Sequence, residues 1–291
     1  MQAGSSDQSQ MNPVIRPVLG SMRTWLPIDC LLVTIAGIQL FILSEQTERF
    51  FAWTIALPLT AAFLGASYLA SLALVYLSSR KQTWAESRLA VFGVWVFTTI
   101  TTVITLIHLG RFHLTSPILT ARLAAWFWLA IYLIVPPALL ALIVLQLRLP
   151  GGDPARRLRL PSWYRLILGL QALLLFLAGA ALLAFPTAAP WPWKLTPLTG
   201  AAVGAWLVGV SVIAIQAIWE NDWSRVWNTN LSYGFLALLQ LLALARYREV
   251  VSWSSPSAGI YVFFLVSMLL LSIAGWLAAR PHQSSQGEHL S

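Results

Sequence analysis

Eight runs of apolar residues follow one another along the chain, each close to the roughly 20 residues that cross a bilayer as a helix. They cover residues 27–44, 54–77, 89–108, 122–147, 165–185, 198–219, 230–247 and 259–279. Strands of a transmembrane barrel would alternate apolar and polar residues, whereas runs such as LALLQLLALA are apolar on both faces. The pattern therefore predicts an all-α, polytopic integral membrane protein with eight transmembrane helices.

The composition places the chain in the same class. Hydrophobic residues make up 58% of it and charged residues 10%, where a soluble domain has about 25% charged residues. Cys30 is the only cysteine, so neither an internal disulfide nor a cysteine-based metal site can form. Residues 1–26 are mostly polar, and we expect a disordered tail followed by a retained first helix rather than a cleaved signal peptide. A second polar tail is expected at residues 280–291.

The basic residues predict the orientation. Eight spans put both termini on one side, and that side holds twelve of the eighteen Lys and Arg residues. The positive-inside rule therefore places both termini in the cytoplasm, with the protein in a plasma membrane of the bacterial inner-membrane type. Topology explains the net charge of +8, so no nucleic acid partner is expected. For Arg156, Arg157 and Arg159, in the densest basic run, contact with anionic lipid stands beside the alternative of a solvated loop.

One phrase of the sequence occurs twice. PLTAAFLGA, residues 58–66, returns as PLTGAAVGA, residues 197–205, with six of nine positions identical. The same offset of 139 residues aligns Trp84 with Trp223 without a gap. This agreement favours an internal duplication over chance similarity between Ala- and Leu-rich helices.

The duplication predicts the domain organisation. A first four-helix repeat covers residues 27–147, a basic cytoplasmic linker covers 148–161, and a second four-helix repeat covers 162–279. Because each repeat has an even number of spans, the two are parallel and related by an axis along the membrane normal.

Small residues in the repeated phrase allow helices to approach closely, which is how membrane helices gain packing energy. We expect helix contacts at Ala62, Gly65, Ala66, Gly200, Gly204 and Ala205. The alternative is that both copies of the phrase line a path along the axis between the halves.

Few polar groups fall deep in the predicted spans. Asp29 is expected in the first turn of its span, so no carboxylate lies at mid-membrane, which argues against an ion-coupled transporter. The neutral mid-membrane candidates are Thr98, Thr102, Thr105, Gln216 and Gln240. Threonines in such spans usually bond to helix carbonyls, and a polar channel lining or ligand pocket is the alternative.

Charged residues are expected at both faces of the membrane. On the outer face we predict a basic cluster for an anionic ligand or lipid, with ordinary interfacial snorkelling as the alternative. Its candidates are His108, Arg111, His113, Arg122, Arg246 and Arg248. On the cytoplasmic face we expect Arg80 or Lys81 to pair with Glu220 or Asp222. The spacing of His108 and His113 does not favour a metal site.

The fourth span contains a candidate hinge. Pro136 and Pro137 offer no backbone N–H, so the helix is expected to break or kink beside Tyr132. The eighth span lacks this pair, which makes the kink a candidate gate and the main expected difference between the halves.

Motifs of hydrolases, metalloproteases, phosphate-binding loops and haem sites are missing, so we expect neither catalytic residues nor a cofactor. Two functions remain. The first is a permease or channel-like protein for a small neutral or anionic solute, which moves between the two halves. The second is a structural or accessory subunit that packs against other membrane proteins, or against copies of itself.

Overall fold

The computed structural model describes the backbone of residues 14–287 and the side chains of residues 14–279. Within that range the chain is helical, with no β-strand. The nine helices are α1 (Gly20–Phe41), α2 (Thr47–Phe50), α3 (Pro58–Ser79), α4 (Trp84–Ile107), α5 (Leu119–Arg148), α6 (Ser162–Ala184), α7 (Pro197–Glu220), α8 (Trp223–Arg246) and α9 (Pro256–Gly287). Residues 1–13, part of the expected N-terminal tail, lie outside the described residues, as do residues 288–291.

Seven of these helices are long and apolar enough to cross a membrane. The exception among the eight long helices is α8, whose first half is polar. Those polar groups bond to neighbouring helices: the Asn230 Oδ1 accepts from the Tyr164 hydroxyl at 2.8 Å, and the Ser232 hydroxyl donates to the Ala70 carbonyl at 2.7 Å. The polar side chains that lower the hydropathy of α8 therefore bond to other helices of the protein instead of to solvent.

The first helix begins earlier than the apolar pattern indicates. Residues 20–26, which we assigned to the disordered tail, form the first turns of α1. The chain before them is held by backbone bonds, from Arg16 N to the Gly152 carbonyl at 2.9 Å and from Trp84 N to the Arg16 carbonyl at 3.1 Å. Asp29 is consequently the tenth residue of α1. Our placement of this carboxyl in a first helical turn was wrong.

Helix bounds and helix contacts recur at the offset of 139 residues. Helices α4 and α8 match end to end, each is followed by a 3₁₀ turn at the same position, and α3 and α7 both begin at a proline. Helix α1 packs along α3 as α6 packs along α7, and α4 packs on α5 as α8 packs on α9. The two halves are joined mainly by contacts of α3 with α8 and of α4 with α7, and also by contacts of α4 with α8 and of α3 with α7.

The repeated phrase lies at a close helix contact in each half. A Cβ added to Gly65 in α3 would stand 2.3 Å from the backbone nitrogen of Phe41 in α1. A Cβ added to Gly204 in α7 would stand 2.9 Å from the carbonyl oxygen of Gly179 in α6. The other four residues expected at helix contacts are also buried: Ala62, Ala66, Gly200 and Ala205. Both glycines therefore face a helix of their own half rather than the boundary between the halves.

Candidate functional site

A buried carboxyl faces a cavity in the first half. The cavity has a volume of about 80 Å³, room for several water molecules. Asp29 of α1 lines it and is 7% exposed. The other polar side chains in the wall are Ser71, Tyr68, Tyr132 and Thr98, and apolar residues of α7 complete it.

The cavity lies near the middle of the helices that enclose it. Asp29 follows nine residues of α1, a rise of about 13 Å from the start of the helix. Tyr68 is the eleventh of the 22 residues of α3, and Tyr132 is the fourteenth of the 30 residues of α5. Because ionisable groups at this depth in a membrane protein are costly, they are the default indication of function.

The hydroxyl groups around Asp29 have partners, and Asp29 does not. The Tyr68 and Tyr132 hydroxyls lie 2.6 Å apart, and the Ser71 hydroxyl donates to the Tyr68 carbonyl at 2.7 Å. In the described part of the chain, no hydrogen bond or ion pair is formed by the Asp29 carboxyl, and no Lys, Arg or His lines its cavity.

The second half differs from the first at this point. The corresponding cavity there is about 40 Å³, and Leu168 stands where the first half has Asp29. A larger apolar cavity of about 230 Å³ lies between α6 and α9, and its few polar groups include Gln240 and Tyr261. Of the two matching cavities, the one in the first half is therefore lined by a carboxyl and the one in the second half is not.

The candidate hinge in α5 is continuous. The helix runs without interruption from Leu119 to Arg148 through both prolines. Pro136 has no N–H for the Tyr132 carbonyl four residues before it, and the Thr102 hydroxyl of α4 donates to that carbonyl instead. The helix is therefore not broken at the prolines, where a neighbouring helix supplies the missing donor. The kink and the gate stay predictions.

The other mid-membrane candidates bond mainly to helix groups. Thr98 donates to the Val94 carbonyl at 2.8 Å, and Thr105 accepts from the Trp128 indole at 3.1 Å. The Gln240 amide donates to the Phe63 carbonyl at 3.0 Å, across the boundary between the halves. The Gln216 Oε1 is buried without a hydrogen-bond partner. Of Thr102, Gln216 and Gln240, only Gln240 lines one of the three cavities described above.

The outer basic residues are held by separate partners. The His113 ring lies 3.0 Å from the Phe51 carbonyl and 2.9 Å from the Thr54 hydroxyl. Arg246 donates to the Phe41 carbonyl at 2.9 Å. The remaining members of the candidate cluster are His108, bonded to its own helix, and Arg111, Arg122 and Arg248, which are exposed or face solvent. Within the described residues, no side chain of these six bonds to another of the six.

The opposite face holds a buried charge cluster that the sequence did not indicate. Arg88 of α4 binds the Glu220 carboxylate of α7 with two donors, one of them at 2.6 Å, and Arg225 of α8 binds the same carboxylate at 2.9 Å. Asp153 of the linker lies 2.8 Å from Arg88. The Glu220 side chain is fully buried. The cluster joins both halves to the linker.

This cluster replaces the pairs expected on that face. Lys81 pairs with Glu86 at 3.1 Å rather than with Glu220. The Asp222 carboxylate accepts from the backbone nitrogens of Ser224 at 2.9 Å and Arg157 at 2.6 Å, so it caps α8 and fixes the linker. Our expectation of Arg80 or Lys81 bound to Glu220 or Asp222 was therefore wrong, because Arg88, one turn inside α4, reaches the carboxylate.

No group of three His, Cys, Asp or Glu side chains in the described residues could hold a metal ion. Comparison of the chain with protein-family models, with curated proteins and with solved structures finds no match.

Proposed function

We propose that this protein is a membrane permease for a small neutral solute, with the Asp29 cavity as the solute site. The observation that carries the proposal is the unpartnered carboxyl, buried near the middle of its helix in a cavity that two tyrosines also line. A purely structural protein gains nothing from such a group, because burying it is unfavourable.

The chemistry of the cavity favours a neutral solute over an anionic one. Its wall offers a carboxyl and hydroxyl groups as hydrogen-bond donors and acceptors, and no basic side chain. An anion would meet the Asp29 oxygens without a compensating positive charge. Of the two solute classes expected from the sequence, the neutral one therefore fits this site.

We further propose that α8 crosses the membrane with the seven apolar helices, which gives eight spans in two parallel four-helix repeats. The recurring helix contacts support this arrangement. So does an ion pair in each half, Lys81 with Glu86 and Glu220 with Arg225, at matching positions with the signs exchanged. In this topology the linker and both termini lie in the cytoplasm, and the membrane is the plasma membrane.

The solute route passes through the Asp29 cavity, which four helices of the first half and α7 of the second half enclose. At the cavity wall the two halves are held together by contacts such as the Phe97 and Trp206 rings, whose centroids are 3.9 Å apart. On one side of the cavity, the Trp128 ring packs against the Tyr132 ring, with a centroid separation of 4.4 Å, and against the Trp53 ring, with a centroid separation of 4.9 Å. These aromatic rings would have to separate for a solute to enter from the outer face, which makes them the proposed outer gate.

The contacts between the halves also favour the second candidate, an accessory subunit that functions through its partners. Native mass spectrometry of the protein purified in mild detergent separates the two candidates, because an accessory subunit retains stoichiometric protein partners or a second copy.

Arg157 and Arg159 are exposed, and we propose that they contact anionic lipid. Arg156 instead donates to the Glu220 carbonyl at 2.8 Å, at the end of α7.

A thermal-stability screen tests the permease proposal. The purified protein is heated with polyols, amides and monosaccharides, with acetate and phosphate as anionic comparisons. We expect at least one neutral solute to stabilise the wild type, and to be taken up by proteoliposomes that contain it. The variant Asp29→Leu, which copies Leu168 of the second half, should lose both effects, and Glu48→Gln, an exposed carboxyl, should keep them. Equal responses of wild type and Asp29→Leu would contradict the proposal.

A further inference from the structure

We propose that Asp29 takes up and releases one proton in each transport cycle, so that solute movement is coupled to a proton gradient. This inference rests on the proposed function, because it assigns a second ligand to the same cavity. It reverses the expectation from the sequence, which placed Asp29 at a membrane surface and left the spans without a carboxylate.

The first argument is the absence of a charge to balance the carboxylate. The titratable groups nearest to Asp29 are Cys30 on its own helix, Tyr68 on α3 and Tyr132 on α5. Helices α4 and α7 contribute no titratable side chain to the cavity. An isolated carboxylate in such surroundings is strongly disfavoured, so Asp29 is stable there as the neutral acid.

The second argument is that the same cavity can stabilise the carboxylate once water enters. One O–H of the Tyr68 and Tyr132 pair is used between the two hydroxyls, and the other O–H is left to donate. The cavity has room for several water molecules. When one side opens, the Asp29 acid passes its proton to water as hydronium, and a hydronium ion entering from the other side restores the acid.

The third argument concerns stoichiometry. Leu168 occupies the matching position in the second half, where the Tyr164 hydroxyl donates to Asn230 and no carboxyl lines the cavity. The described residues thus provide one exchangeable carboxyl in a mid-helix cavity, which corresponds to one proton in each cycle.

Infrared difference spectroscopy of the full chain in lipid vesicles tests the proposal without a known solute. We expect a carboxylic-acid C=O band that shifts in D₂O and disappears as the pH is raised and the acid loses its proton. Asp29→Asn should lack this band and Glu48→Gln should keep it. Asp29→Glu should show a shifted band that still titrates, which guards against misfolding of the amide variant.

The outcomes separate this inference from the proposed function. A band that titrates in Asp29→Asn as in wild type, or no titrating band in wild type, would overturn the proton site. Solute uptake that is driven by a sodium gradient, and not by a pH gradient, would overturn the coupling while the permease stands. A titrating Asp29 band without uptake of any solute would instead refute the permease and leave the proton site in place.

Discussion

Replacing Glu220 by glutamine should cost the protein a large share of its stability. The Glu220 carboxylate is fully buried and accepts hydrogen bonds from Arg88 and Arg225, whose side chains are 10% and 3% exposed. With Asp153 the four side chains sum to zero charge, and the substitution leaves one uncompensated positive charge. Removing one member of a buried ion pair costs about 3–5 kcal/mol, and we expect a loss of that size.

The matched control is Glu86→Gln. Glu86 pairs with Lys81 at 3.1 Å, and the two side chains are 22% and 30% exposed. An ion pair with this degree of exposure contributes about 0–1 kcal/mol. The pair of Lys81 with Glu86 matches the pair of Glu220 with Arg225 in position. The control pair is partly exposed, whereas Glu220 is buried and is also bound by Arg88.

The assay is reversible unfolding in mixed micelles with an increasing fraction of denaturing detergent, followed by tryptophan fluorescence. We expect the free energy of unfolding to fall by several kcal/mol in Glu220→Gln and by less than about 1 kcal/mol in Glu86→Gln. The double variant Arg88→Met, Glu220→Leu removes both charges of one pair and should recover part of the loss. Equal, small losses in both single variants would refute the reasoning that burial makes this cluster structural.

Two further substitutions test the close contact of α1 with α3 and the turn between α7 and α8. Gly65→Ala should destabilise the fold by about 1–3 kcal/mol, because its Cβ would overlap the backbone of Phe41, whereas Gly110→Ala, with open space around it, should not change the unfolding midpoint. Asn221→Ala should lower the free energy of unfolding by about 1–2 kcal/mol in the same assay. Asn221, between α7 and α8, adopts a left-handed φ of 48°, and its side chain accepts a hydrogen bond from the Leu160 backbone nitrogen at 3.2 Å. An unchanged unfolding midpoint would show that this turn is not needed.

The apolar pattern predicts the helical class well because lipid and packed helices both favour long apolar runs. It predicts α8 less well, since polar residues such as Asn230 and Ser232 are satisfied by other helices, and their partners are distant in sequence. It also misplaces the start of α1. Residues 20–26 are polar enough to resemble a tail, yet Met22 and Leu26 are buried in a small core with Trp84.

The candidate site could not be derived from the pattern for the same reason. In the sequence, Asp29 lies near the expected start of the first span and therefore resembles an interfacial residue. Only the earlier start of α1 places it at mid-helix. The Tyr68 and Tyr132 pair joins residues 64 positions apart. Sequence spacing identifies residues on one helix face, whereas this cavity needs five helices to define it.

Access to the Asp29 cavity from each side of the membrane tests the central claim most directly. Ser71 lines the cavity, so Ser71→Cys in a Cys30→Ala background places one thiol there, and Ser211→Cys, fully buried in α7, serves as the control. The protein is reconstituted in one orientation and treated with a membrane-impermeant thiol reagent from either side. A permease predicts that the Ser71→Cys thiol reacts from both sides and that the control reacts from neither. A Ser71→Cys thiol that reacts from one side only, or not at all, would contradict the account.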